Sequence, residues 1–113
     1  MPFIDSKITL PVTAQTKDKI KSELGSAISA LHKTETYLMV GIEDNYDLWM
    51  AGKKLDKGAY VSVSLFGSAS PSDYEKMTAL VCDIYARELG IPGQNVYVTY
   101  HPVFDWGWNG RNF

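Results

Sequence analysis

The chain has 113 residues, 45% of them hydrophobic and 21% charged, with a formal net charge of -2 at neutral pH. That is the size and composition of one globular domain spanning 1–113. Its Lys and Arg residues are spread along the chain, which excludes the clustered basic face of a nucleic-acid binder, and no apolar run approaches the roughly 20 residues of a membrane span.

Cys82 is the only cysteine, so no disulfide can form within the chain and no zinc site can rest on several thiolates. His32 and His101, the only histidines, stand in no metal-ligand spacing and read as surface or hydrogen-bonded residues. Asp5 and Lys7 occupy the place where a signal peptide would be apolar, and there is no N-x-Ser/Thr acceptor. The expectation is a cytoplasmic protein, or one secreted without a classical signal.

In chain order, Pro2 to Ile8 is short and extended in character. After Pro11, Thr13 is a candidate N-cap, and Ile20, Leu24, Ala27, Ile28 and Leu31 recur at helical spacing. Tyr37 to Ile42 is almost wholly apolar, the pattern of a strand covered on both faces. Ala59 to Phe66 alternates Val61, Val63 and Leu65 with Tyr60, Ser62 and Ser64. A second helix is announced by Ser70-Pro71-Ser72-Asp73: a capping hydroxyl, a proline in the first turn and an acid at the positive end of the helix dipole. Tyr74, Met77, Val81, Ile84 and Tyr85 form its apolar stripe, Gly90 suits the left-handed position past its end, and Pro92 stops it. Val96 to His101 alternates again, with Tyr97, Thr99 and His101 on one face.

These elements fall into two similar halves. The first strands are offset by 57 residues, the helix caps by 57 and the returning strands by 58. Two tandem βαβ units follow, each a right-handed crossover, in an α+β two-layer fold with both helices on one face of a four-stranded mixed sheet. The bare sheet face, with no polar alternation at 37–42, predicts closure into an oligomer.

The chain resembles the macrophage migration inhibitory factor family of the tautomerase superfamily, which includes phenylpyruvate and D-dopachrome tautomerase-like proteins. The resemblance spans the whole chain. It rests on Met1-Pro2-Phe3-Ile4, Lys33 four residues before Tyr37, Phe66-Gly67, Leu89-Gly90-Ile91-Pro92, Asn95-Val96-Tyr97-Val98 and the ending Trp106-Gly107-Trp108-Asn109-Gly110-Arg111-Asn112-Phe113. It implies a homotrimer whose sheets close into a barrel, with active sites between subunits and no cofactor. It implies a catalytic Pro2, a substrate-carboxylate partner in Lys33, a main-chain contact at Phe66, and aromatic walls at Tyr37, Trp106, Trp108 and Phe113. Tyr97 would come from the neighbouring subunit. Thr99 stands where the family often has asparagine, and Trp106 where a smaller aliphatic residue is common. The Cys-x-x-Cys pair of the vertebrate cytokine is replaced by Ala59-Tyr60-Val61-Ser62.

The chemistry so implied is keto–enol tautomerisation of phenylpyruvate-like α-keto acids and dopachrome-like substrates. A carbonyl's neighbouring proton needs a base that titrates near working pH. An α-amine titrates at roughly 7.7–8.0, and burial beside a cation lowers that value. While Met1 remains attached, the Pro2 nitrogen is an amide and no base; a small residue at position 2 generally permits its removal. A MIF-like cytokine that binds a receptor is the alternative. A dehalogenase or decarboxylase ranks third, because Arg87 and Arg111 are the only arginines and neither matches the positions such enzymes use.

Overall fold

The computed structural model describes the whole chain, residues 1–113. Strand β1 (Pro2–Ile8) turns every second residue inward, so that Pro2, Ile4, Ser6 and Ile8 are buried. Helix α1 (Ala14–Ala27) begins where the Thr13 hydroxyl accepts the Thr16 N–H at 3.1 Å. A 3-10 turn, Ile28–Leu31, prolongs it, and Ile20, Leu24, Ala27, Ile28 and Leu31 are all buried. Strand β2 (Met39–Glu43) returns beside β1. A hairpin of β3 (Trp49–Met50) and β4 (Lys53–Lys54) then leads to β5 (Ala59–Phe66).

Helix α2 (Pro71–Leu89) is capped as expected. The Ser70 hydroxyl accepts the Asp73 N–H at 3.1 Å, and Gly90 ends the helix at φ 66°, a left-handed conformation that costs glycine little. Met77, Val81, Ile84 and Tyr85 are buried. Strand β6 (Val96–Val103) and a second hairpin, β7 (Gly107–Trp108) with β8 (Arg111–Asn112), complete the chain.

The sheet order is β2-β1-β5-β6. β1 runs parallel to β2, β5 parallel to β6, and β1 antiparallel to β5, with Pro2 opposite Leu65 and Ile8 opposite Ala59. The tandem repeat is more regular than the sequence analysis had it: first strands, caps and second strands all differ by 57.

Two expectations are corrected. The residues at 37–42 are not one strand, because Glu35–Tyr37 forms a 3-10 turn and β2 begins at Met39. Nor is β2 apolar on both faces. It is a sheet edge whose Val40 and Ile42 pack partly on the core, while Met39 and Glu43 are exposed. The apolar residues there are split between a turn and two faces. The open sheet face is correspondingly mixed, with Asp5, Lys7 and Glu43 joined by contacts of 3.4–3.7 Å beside aromatic residues. The two hairpins were not predicted. Their turns place Ala51-Gly52 and Asn109-Gly110 at positive φ, as type I′ turns require.

One buried polar bond ties the halves together: the Tyr85 hydroxyl donates to Ser6 Oγ at 2.6 Å, both residues inaccessible to water. Burial holds the Tyr85 phenol up at about 12, so it stays a donor. Tyr85→Phe should strand the Ser6 hydroxyl and cost about 1–3 kcal/mol, measured by denaturant unfolding. Adding Ser6→Ala should recover part of that loss, whereas simply additive losses would mean that the bond matters little.

Candidate active site

Antiparallel pairing of β1 with β5 sets the position of the amino terminus. Pro2 is buried at the end of a central strand, and the Phe66 N–H donates to the Met1 carbonyl at 2.9 Å. A cavity of about 610 Å³ opens at this end of the sheet. Pro2 and Phe3 from β1, Tyr37 from the 3-10 turn before β2, and Trp106 and Trp108 from the carboxy-terminal segment line it.

The two chain ends meet beside the cavity. Trp108 lies edge-on to Tyr37, with ring centroids 5.6 Å apart. Phe113 stacks on Trp108 at 6.2 Å and touches Phe66 at 5.6 Å. Its N–H donates to the Trp106 carbonyl at 3.1 Å. The I′ turn at Asn109-Gly110 is what folds Phe113 back onto this wall.

Lys33 arrives from the end of the first crossover. Its Nζ donates to the Phe66 carbonyl at 2.9 Å, so both main-chain polar groups of Phe66 are engaged, one by Met1 and one by Lys33. The ammonium is near enough to act on the amino terminus. The Met1 amine is held below its ordinary value of 8.0, chiefly by burial and then by the Lys33 charge, since both disfavour a second cation.

Pro2, Lys33, Tyr37, Phe66, Trp106, Trp108 and Phe113 are therefore brought to one end of the sheet. Tyr97 and Thr99 are not. Tyr97 pairs with Tyr60, whereas the Pro2 partner Leu65 pairs with Pro102, five residues or about 17 Å further along the strand. Tyr97 instead lines a smaller cavity of about 290 Å³ with Lys7, Trp49 and Tyr60. Thr99 Oγ1 lies 2.8 Å from the Tyr60 hydroxyl and 2.9 Å from His101 Nε2. Within one chain these two residues have no access to Pro2. Met39, Ser64 and Val103 also line the Pro2 cavity and were missed. Strand alternation already placed Ser64 on the same face as Phe66. No three His, Cys, Asp or Glu side chains are grouped to hold a metal ion.

Residues 1–113 match the model of the family described as macrophage migration inhibitory factor (MIF). The chain belongs to the MIF family. The Xenopus laevis macrophage migration inhibitory factor is 28% identical over 85% of each chain. Among solved structures, Leishmania major MIF2 superposes with a TM-score of 0.93 at 29% identity, covering 100% of this chain and 97% of its own. The MIF homologue of Prochlorococcus marinus gives 0.88 at 26% identity over 98% of each.

In this MIF-family chain the amino-terminal amine is the titrating group whose surroundings define the cavity. With Met1 present it should titrate below 8.0. Lys33→Ala should raise that midpoint only partway, because burial is the larger cause. An NMR pH titration of the amine reads both. No change on removing Lys33 would separate the lysine from the amino terminus.

Proposed function

We propose that this chain is a cofactor-independent keto–enol tautomerase of aromatic α-keto acids, working as a homotrimer with the Pro2 amine as its base once Met1 is removed. The observation that carries the reading is the position of the amino terminus. It lies in an aromatic cavity beside Lys33, where burial and the lysine charge both lower the pKa of an amine and so favour its proton-accepting form.

Removing Met1 also takes away the carbonyl that now occupies the Phe66 N–H. The site would then present a neutral secondary amine, a free main-chain donor and an ammonium. Lys33 pairs with the substrate carboxylate and fixes its orientation. Tyr37, Trp106, Trp108 and Phe113 hold the apolar part and exclude water. Pro2 N takes a proton from the carbon next to the ketone. The C–H electron pair becomes the C=C bond, the carbonyl π pair moves onto oxygen, and that oxygen takes a proton from water as the enol forms, while the Pro2 ammonium returns its proton to solvent. Tyr97 from an adjacent copy supplies a hydrogen bond to that oxygen; Thr99, two residues along, lies on the same face and shapes the specificity of the site.

Assembly is supported by three features. The sheet face opposite the helices is uncovered, β2 and β6 leave bare edges, and Tyr97 is 63% exposed and remote from Pro2. One protein of the same fold, a fused 4-OT, is a symmetric trimer.

Sedimentation should give three times the 12.6 kDa chain mass, and a stable micromolar monomer would contradict the shared site. Lys33→Ala should raise KM for phenylpyruvate about ten-fold, the loss of one charged hydrogen bond, and leave a dopachrome methyl ester nearly unaffected. Equal losses on both substrates would remove Lys33 from carboxylate binding. Pro2→Gly should keep partial activity, since glycine still presents an amine.

A further inference from the structure

Lys33 poses a physical problem. A lysine has a long flexible stem, and immobilising it costs conformational entropy. At the end of a helical crossover it would ordinarily wave in solvent. Here its Nζ is drawn back onto the Phe66 carbonyl at 2.9 Å. The residue before it shows how the chain is turned to allow this.

His32 ends the 3-10 turn in the left-handed conformation, φ 58° and ψ 33°. That region is sparsely populated by residues other than glycine, although histidine visits it more readily than most. The main chain contributes one tie, because the His32 N–H donates to the Ser29 carbonyl at 3.0 Å. The side chain contributes another. Nε2 of His32 lies 3.1 Å from Oδ2 of Asp73. Asp73 is itself held in place at the start of α2, where its N–H donates to the Ser70 hydroxyl at 3.1 Å. The Ser70 bond and then the His32 ring help keep its carboxyl below the usual range, hence an anionic acceptor.

Two ties thus run side by side between the same two pieces of chain. His32 reaches Asp73, and Lys33 reaches Phe66; the segment Phe66–Asp73 is the turn from β5 into α2. The second tie orients the group proposed to meet substrate. The first touches nothing in the cavity.

We propose that the His32–Asp73 pair is a latch that positions Lys33 for carboxylate recognition. His32 and Asp73 are positioning residues and contact no substrate. The inference rests on the reading of Lys33 given above. With the latch open, the end of the crossover is no longer held against the start of α2 even where the turn itself persists, and the lysine samples solvent, so carboxylate binding weakens while proton transfer at Pro2 is left alone.

The test compares KM and kcat for phenylpyruvate with those for dopachrome methyl ester, using protein with Met1 removed. His32→Ala should raise the phenylpyruvate KM about five-fold, the scale of one exposed hydrogen bond to a carboxylate. Its kcat and the ester KM should stay within two-fold of the parent. His32→Gly keeps the turn without the tie and should match His32→Ala, whereas His32→Gln, which can still donate to Asp73, should restore most of the affinity. Asp73→Ala should reproduce the His32→Ala effect, and the double variant should add nothing to either. Parental KM in His32→Gly would overturn the latch, because the turn alone would then suffice. So would equal KM changes on acid and ester, or additive effects of the two alanines. Lys33→Ala run alongside separates the two readings. If that variant leaves the acid-to-ester ratio unchanged, Lys33 has no carboxylate role. If it shifts the ratio and His32→Ala does not, only the latch fails.

Discussion

The rest of the structure depends on one constraint: the first residues of the chain form a central strand. Chain ends ordinarily fray. Here β1 is paired on both sides, with β5 from Pro2 onward and with β2 from Phe3 onward. An amino terminus paired in that way is placed at its cavity. Its surroundings are therefore fixed: burial and Lys33 act on the amine directly, and the Phe66 N–H is in bonding reach of residue 1. A free end tethered to a surface loop would keep the ordinary pKa of an exposed amine and have no defined partner.

The other end of the chain completes the same site. The I′ turn at Asn109-Gly110 returns the chain so that Phe113 lies on Trp108 and Phe66. Segments near both termini thus line a single cavity, together with Tyr37 and Met39 from the first half and Ser64 and Val103 from the second. The halves are equivalent in backbone but not in chemistry. Pro2 in the first half corresponds to Ala59 in the second, so only the first half begins beside a chain terminus.

Most of the architecture was legible in the sequence, because local and global signals agree there. Thr13 and Ser70 cap helices with hydroxyls, Gly90 stops one, and alternation on β1, β5 and β6 separates core from open face. The failures have local causes. An apolar stretch at 37–42 says nothing about where a 3-10 turn ends and a strand begins, so β2 was read two residues early and as doubly covered. The hairpin at 49–54 turns on Ala51 at positive φ, which no sequence rule favours, whereas Asn109-Gly110 did carry a recognisable turn signal. The grouping of Pro2, Lys33, Tyr37, Trp106, Trp108 and Phe113 was implied by family resemblance and not by spacing, since their common place depends on which strands pair. His32 reads in the sequence as a surface or hydrogen-bonded histidine, and it is both. Its left-handed backbone and its bond to Asp73 are visible only in three dimensions.

The central claim is that a free Pro2 amine is the base, and it is tested most directly by blocking that nitrogen without changing any side chain. Two preparations of the same sequence, one processed to Pro2 and one retaining Met1, are verified by intact mass and compared for kcat/KM on phenylpyruvate. Both should fold and assemble alike. The processed form should be faster by a factor on the order of a hundred or more, the contribution of a positioned base, and its profile should show an ionisation below the ordinary α-amine value. Equal turnover by the form that retains Met1 would contradict the account, because an amide nitrogen cannot take the proton.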